Sequence, residues 1–395
     1  MSPGLVIQHN QLPTRRTELV RCDIAGIIGF IQEESWPEGA ESGDFIELYL
    51  RRSHDLWAHP DRKLFDGPSQ RAVRSFFENG GDTAHLFGVC VRSLDDLKSP
   101  GGMMGVLTPL LDRLRGEEDI GLLVCPSAAY MRCTVPREGP IQADAELFYD
   151  ALLAHCREMS NRFLIMDAPQ GLHGEPLERW VRDYRSRQAE NRAFGAIYYP
   201  WLMSGDECFP PSGAMAGTYA RMEIEHGDFG VVWPPANVAL RGVTHLEVEL
   251  TWAEAGEYAE LAINPLVIQV GRGVIIFGAR TLSREPRYQF INTRRIVSMV
   301  SEQLRRDTAW AVFETNNPHL WSVLDRDVRY RLEQFSGAGA LTGGEGEQKD
   351  FQVICDHSIN TPATRDAGQV NLEVMLRPVG TTEQVLIDLS IGSEG

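Results

Sequence analysis

The stretch NPLVIQVGRGVIIFGARTLSREPRYQFINTRRIVSMV, residues 264–300, sets the reading of the whole chain. It opens on an apolar segment and passes Gly271-Arg272-Gly273, where glycines mark a turn. A strand-like run, 274–277, comes next, then Gly278-Ala279-Arg280-Thr281-Leu282, a polar loop, and a helix carrying the adjacent Arg294 and Arg295. The Gly-Arg-Gly turn precedes a strand rather than a helix, so it does not cradle a phosphate on a helix terminus. The stretch reads as the hinge between a rigid domain and a surface that meets other chains.

Upstream, the chain has a βα rhythm. Residues 22–30 and 45–50 read as strands. Ser69 is placed to N-cap a helix whose Ala72, Val73, Phe76 and Phe77 make one apolar face, with Asn79-Gly80-Gly81 stopping it. Strands at 86–91, 120–125, 163–166 and 194–199 then alternate with helices at 103–114, 143–159 and 177–188. Strands apolar on both faces, alternating with helices, predict a parallel sheet covered on both sides. Residues 202–235 read as irregular, and Pro234-Pro235-Ala236-Asn237 as a domain junction.

Downstream the rhythm changes. A short helix is expected at 252–261. In the helix 291–307, Ile296, Val297, Val300 and Leu304 form an apolar stripe, with Arg295, Ser298, Glu302, Arg305 and Arg306 largely opposite. Asn317 caps a further helix with Pro318 at its first position, and Gly337 ends it. Strands are expected at 351–355, 370–376 and 385–391. In the last, Val385, Ile387, Leu389 and Ile391 share one face and lie where they can pair outward. At the other end, Pro3 and Pro13 bracket Leu5-Val6-Ile7, an extended arm able to add to another chain's sheet edge.

The 395 residues predict two domains. With 43% hydrophobic and 24% charged residues the composition is that of a globular protein. No run is long and apolar enough for a membrane-spanning helix, and the first residues lack signal-peptide order. A net charge of −17 argues against general nucleic-acid binding. The seven cysteines are scattered without metal spacing and read as small buried hydrophobes.

A parallel sheet invites an enzyme hypothesis at the carboxyl ends of its strands, where Ser127, Asp167 and Tyr199 lie. Asp167, directly after a strand, is the best placed. No nucleophile elbow, phosphate loop or dinucleotide fingerprint accompanies it, so no catalytic, cofactor or metal residue is assigned. The pairs Arg294–Arg295 and Arg305–Arg306 are the local basic concentrations of an acidic chain. They read either as a solvated helix face or as a docking face for an acidic partner.

Several segments, in order, resemble the tail sheath proteins of contractile injection systems: myovirus tails, R-type pyocins and extracellular phage-tail-like particles. They are Ala72 to Gly81 (AVRSFFENGG), Pro235 to Val243 (PANVALRGV), Asn264-Pro265, Gly271-Arg272-Gly273, Gly278 to Leu282 (GARTL), Ile291 to Arg295 (INTRR), Asn316-Asn317 with Leu320-Trp321, and Phe351 to Asp356 (FQVICD). The arm, Pro3-Gly4-Leu5-Val6-Ile7-Gln8-His9, departs from the family's Pro-Gly-Val-Tyr-Val-Glu-Glu pattern. The chain is also short for a myovirus sheath, which points to a pyocin-like or extracellular particle. The resemblance implies an N-terminal arm (1–20) joining an inner, tube-facing α+β domain (236–395) that has its own C-terminal arm. It implies an outer α/β domain (21–235), called subtilisin-like without protease activity. It further implies self-assembly into stacked hexameric rings that contract around an inner tube and drive it through a target envelope, with baseplate and cap proteins as further partners; no cofactor and no nucleic acid are expected. Assembly in a bacterial cytoplasm, with possible release, follows from it. Arg294, Arg295, Arg305 and Arg306 become tube-docking candidates; Leu5, Val6, Ile7, Val385, Ile387, Leu389 and Ile391 become inter-subunit arm candidates. Two rivals stay open: an α/β hydrolase or nucleotide-binding enzyme centred on Asp167, and a static filament scaffold.

Overall fold

The computed structural model describes residues 17–92, 97, 100–136, 141–187, 190–343 and 350–381. They fall into two compact units, 21–298 with 379–381, and 17–20 with 299–378. In chain order the larger holds β1 (Ala25–Gln32), β2 (Phe45–Leu50), α1 (Ser53–Ala58), α2 (Gly67–Glu78), β3 (Ala84–Val91), α3 (Pro100–Arg115), β4 (Leu122–Val124), β5 (Cys133–Thr134), β6 (Gln142–Ala143), α4 (Ala145–Met159), β7 (Phe163–Asp167), α5 (Gly174–Ser186), β8 (Gly195–Tyr199), β9 (Leu202–Ser204), β10 (Glu207–Phe209), α6 (Ser212–His226), β11 (His245–Leu246), α7 (Trp252–Glu260), β12 (Ile263–Gln269) and β13 (Gly273–Ile276). Helix α8 (Ile291–Thr308) begins in this unit and ends in the smaller one. The smaller adds α9 (Pro318–Gly337), β14 (Phe351–Ile354), α10 (Pro362–Asp366) and β15 (Glu373–Leu376).

The central sheet runs β13-β12-β8-β7-β4-β1-β3-β2. Strands β12, β8, β7, β4, β1 and β3 pair in parallel; β13 and β2 close the edges antiparallel. Neighbouring strand residues point to opposite layers, as a period of two requires. Ile28, Leu123, Leu164 and Ile197 join Phe148, Leu152 and Trp180 on one face. Ile27, Leu122, Ile165 and Tyr198 join Phe76, Met215 and Tyr219 on the other. Each side chain so buried contributes about 1.5–3 kcal/mol. Both faces are therefore covered, as the double-sided apolar strands require.

Three expectations change. Helix α2 is capped by Asp66, not Ser69: the Asp66 Oδ1 accepts from the Ser69 N–H at 2.9 Å, and Pro68 occupies the first turn. Residues 202–235 are not irregular, since they hold the β9–β10 hairpin and the fifteen-residue helix α6. Helix α6 is buried nearly all round, so it has no polar stripe to reveal it. It lies close against α2, where a Cβ at Gly213 would meet the Ala72 Cα at 2.6 Å and one at Gly217 would run into the Phe76 carbonyl.

The third change is the junction. Contacts divide the chain at 298/299 rather than at 235/236. After the two prolines the chain returns to the sheet edge: the Asn237 N–H donates to Ile276 O at 2.8 Å and the Leu240 N–H to Val274 O at 2.9 Å. Strand β12 then pairs with β8, placing 236–298 in the larger unit.

In the smaller unit, Asn317 Oδ1 accepts from the Leu320 N–H at 3.0 Å, capping α9 where expected. Leu320, Trp321, Leu324 and Cys355 form its small core. Strands β14 and β15 pair antiparallel. The expected strand at 385–391 and the arm at 5–7 lie outside the described residues. Cys22, Cys90, Cys125, Cys156 and Cys355 are buried and Cys133 and Cys208 half-buried, with no disulfide among them.

Candidate functional site

The quoted stretch is a set of internal ties. Gly271 and Gly273, both at φ +80°, turn the β12–β13 hairpin. Asn264 is fully buried. Its amide donates to Ile197 O (3.1 Å) and Arg280 O (2.8 Å), and its Oδ1 accepts from the Arg280 N–H (2.7 Å). A Cβ at Gly278 would sit 2.9 Å from that oxygen, which accounts for the glycine. Thr281 Oγ1 donates to Tyr288 O at 2.6 Å, folding the polar loop back, and the Ile291 N–H donates to Ala279 O at 2.9 Å, starting α8. Asn292 Oδ1 accepts from Thr381 Oγ1 at 2.7 Å, fixing where the chain leaves toward its C-terminus.

The four arginines separate into two kinds. Arg294 and Arg295 are 6% and 5% exposed. Arg294 lies over the rings of Phe194 (4.5 Å) and Tyr288 (4.9 Å). Arg295 pairs with Glu223, donates to Cys22 O at 3.0 Å and covers the Tyr219 ring at 4.9 Å. Burial works against its charge, but Glu223 outweighs that and holds its pKa above the ordinary value. Neither guanidinium faces outward, which corrects the docking-face expectation for this pair: partners on distant segments enclose them.

Arg305 and Arg306 belong to the smaller unit, and both bond Glu302, at 2.8 and 2.7 Å. Their side chains are 54% and 26% exposed against 6% for Glu302. Burial raises the Glu302 pKa, but the two arginine hydrogen bonds prevail and leave it low. Arg305 is the outermost of the three.

A further network was not legible in the sequence. Arg331 Nε donates to Asp307 Oδ2 at 2.5 Å and Arg331 Nη2 to Thr17 O at 3.0 Å. Gln303 donates to Thr17 Oγ1 at 2.7 Å and accepts from the Val20 N–H at 2.9 Å. Residues 17–20 are thereby clamped to α8 and α9. The partners lie more than 280 positions apart, beyond any local pattern.

The enzyme candidates are occupied. Asp167 is 1% exposed, and its Oδ1 accepts from the Ser212 N–H at 2.7 Å at the start of α6. Burial pushes its carboxyl up to about 7, with the Ser212 bond pulling the other way. Ser127 Oγ donates to Asp66 at 2.5 Å, and the Tyr199 hydroxyl meets His173 at 3.2 Å. No two of the three are joined in a nucleophile–base arrangement among the described contacts. Glu47, His85 and Glu117 are close enough to share a cation, but Arg113 already bonds both carboxylates, so its guanidinium supplies that charge. Among the described residues no helix is long and apolar enough to cross a membrane.

Comparison with known proteins places this geometry. Residues 283–391 match the Phage tail sheath C-terminal domain. Over 154 residues, 39% of its length, the chain is 25% identical to the tail sheath protein of Enterobacteria phage T4, and the aligned part is 22% of that relative's own length. The fold matches the helical sheath of the anti-feeding prophage in its contracted state. The TM-score there is 0.72 at 22% identity, covering 99% of both chains. It also matches the sheath complex of PVC, an extracellular contractile injection system, in the contracted state, with a TM-score of 0.70 at 23% identity, over 99% of this chain and 97% of that one. The proteins to which the chain is similar are structural, and none of these is named for an enzymatic activity. The resemblance read from the sequence is thus matched by the sheath C-terminal domain over 283–391 and by a shared fold along nearly the whole chain.

Proposed function

We propose that the chain is a contractile sheath subunit that polymerises as stacked hexameric rings around an inner tube and shortens to drive that tube through a target envelope. The observation that carries this reading is the sheath C-terminal domain match over 283–391, set within a fold that follows contracted sheaths along nearly their whole length. The larger unit is the outer, solvent-facing domain, and the smaller unit, 17–20 with 299–378, faces the tube. This moves the division to 298/299 from the one expected at 235/236. Arg305 and Arg306 remain tube-docking residues; Arg294 and Arg295 do not.

The arms link neighbours by strand addition, with Leu5, Val6 and Ile7 from one end and Val385, Ile387, Leu389 and Ile391 from the other. Departure points held by Thr17 and by Thr381 support this, because an arm transmits a pull only if its root is fixed. Backbone hydrogen bonds within added strands survive rigid-body rotation of subunits, so links persist through shortening. The extended lattice is metastable, and contraction buries more surface between subunits without nucleotide. Further partners are the baseplate and the cap, and assembly takes place in a bacterial cytoplasm before release.

Removal of residues 1–12, or of 385–395, tests this. Either truncation should leave a folded chain that no longer polymerises. Sheaths of normal length from either truncated chain would refute the arm links.

A further inference from the structure

A cavity of about 470 Å³ opens in the larger unit at the carboxyl ends of β1 and β4. The connections part there. From β1 the chain proceeds to β2 and β3 on one flank, and β4 begins the run to β7, β8 and β12 on the other. In parallel sheets this switch point is where a crevice forms and ligands bind. The first turn of α2, the loop after β4 and strand β10 complete the walls.

The polar groups of this cavity are unevenly satisfied. Asp66 is fully used: Oδ1 accepts from the Ser69 N–H, and Oδ2 from the Phe30 N–H at 3.3 Å and Ser127 Oγ at 2.5 Å. Arg71, one turn along α2, is only 8% exposed, and its guanidinium lies over the Phe209 ring at 3.9 Å. Its Nε and Nη2 find no hydrogen-bond acceptor. The carboxylate ion-paired with it, Glu207, stands 3.6 Å from Nε with its side chain 53% exposed, too far to accept a hydrogen bond. Buried donors of this kind are costly when unmet. A planar carboxylate meets two guanidinium N–H groups at once. Phe30, Pro68 and Tyr130 offer an apolar wall beside it.

The geometry points to a binding site for an organic monocarboxylate, its head on Arg71 and its apolar body against Phe30, Pro68 and Tyr130. Asp66 and Glu207 disfavour a second negative charge, so inorganic phosphate and dicarboxylates are rejected. The carboxylate comes from a free acid or from an acidic side chain of a second copy of this chain. The inference rests on the cavity alone and not on the sheath reading.

The test is fluorine NMR of 4-fluorophenylacetate with the full chain, using 4-fluorobenzyl alcohol and inorganic phosphate as controls. The acid should broaden on addition of protein; the alcohol should not, and phosphate should not displace the acid. Arg71→Met, shown to be folded by circular dichroism, should weaken binding about tenfold or more, as loss of a charged hydrogen-bonding pair does. Glu207→Gln removes the competing carboxylate and should tighten binding about two- to fivefold, in line with an exposed ion pair; it reports even where Arg71→Met does not fold. An affinity unchanged by protein concentration assigns the site to a free acid. An affinity that falls as protein is concentrated assigns it to a second copy. No broadening by the acid, equal broadening by the alcohol, or an acid affinity indifferent to both substitutions overturns the site.

Discussion

Arg331 and Asp307 form an almost fully enclosed ion pair between α9 and α8, and the same guanidinium holds the backbone oxygen of Thr17. One pair of residues therefore binds two helices and the root of the N-terminal segment. Replacing Asp307 by Ala leaves a buried guanidinium without its carboxylate, at a cost of about 3 kcal/mol. The Val20 amide, which donates to Gln303, should then lose protection in hydrogen exchange. Unchanged protection at Val20 in a destabilised Asp307→Ala protein would separate the pair from the arm root.

The two arginine pairs should respond differently to charge reversal. Arg295→Glu faces Glu223 inside the larger unit and should lower stability by about 3–5 kcal/mol, read by denaturant unfolding. Arg305→Glu with Arg306→Glu takes both partners from Glu302, itself only 6% exposed, and so lowers stability too, but in chains shown to be folded it should impair assembly on a tube. Assembly unaffected by the second substitution removes the docking role.

Asp167 gives the larger unit a pH dependence of definite sign. Its carboxyl is held protonated, at about 7 against an ordinary 3.8, so its contribution is complete below 3.8 and is lost as pH rises through 7. The loss between pH 4 and pH 8 is at most about 4 kcal/mol. Asp167→Asn keeps an acceptor for the Ser212 N–H and should abolish that share of the slope. His155, held down to about 3 by burial and Arg162, contributes the opposite slope in both proteins and cancels in the difference. Equal slopes for the two proteins, measured by unfolding at pH 5 and pH 8, would show Asp167 ionised in the fold.

Gly217→Ala should destabilise by about 1–3 kcal/mol, because the added methyl meets the Phe76 carbonyl in the α2–α6 contact. Gly256→Ala, in open space within helix α7, should stabilise by about 0.5–1 kcal/mol. Thermal melts of both variants check the contrast, and a melt of Gly217→Ala at or above wild type would contradict the packing.

What the sequence disclosed follows from physical range. Strands apolar on both faces and the capped helix after Asn317 are local patterns, and they appear close to where they were read. Helix α6 escaped because Ala214, Ala216, Gly217, Thr218 and Ala220 are buried on every side, leaving no periodic contrast. The 234–237 junction failed because paired prolines announce a turn but not whether the chain then returns to the same sheet. Glu302 beside Arg305 and Arg306 was visible at helical spacing. Glu223 beside Arg295, 72 positions away, was not. Adjacent arginines looked like surface because their enclosing partners, Phe194, Tyr219 and Glu223, come from other segments.

The most direct measurement is electron microscopy of the polymerised chain, alone and on its tube. A contractile sheath predicts hollow striated tubes of stacked hexameric rings in two states, one long and narrow, one short and wide. Uniform small particles, or filaments fixed in a single state under every condition, would contradict it.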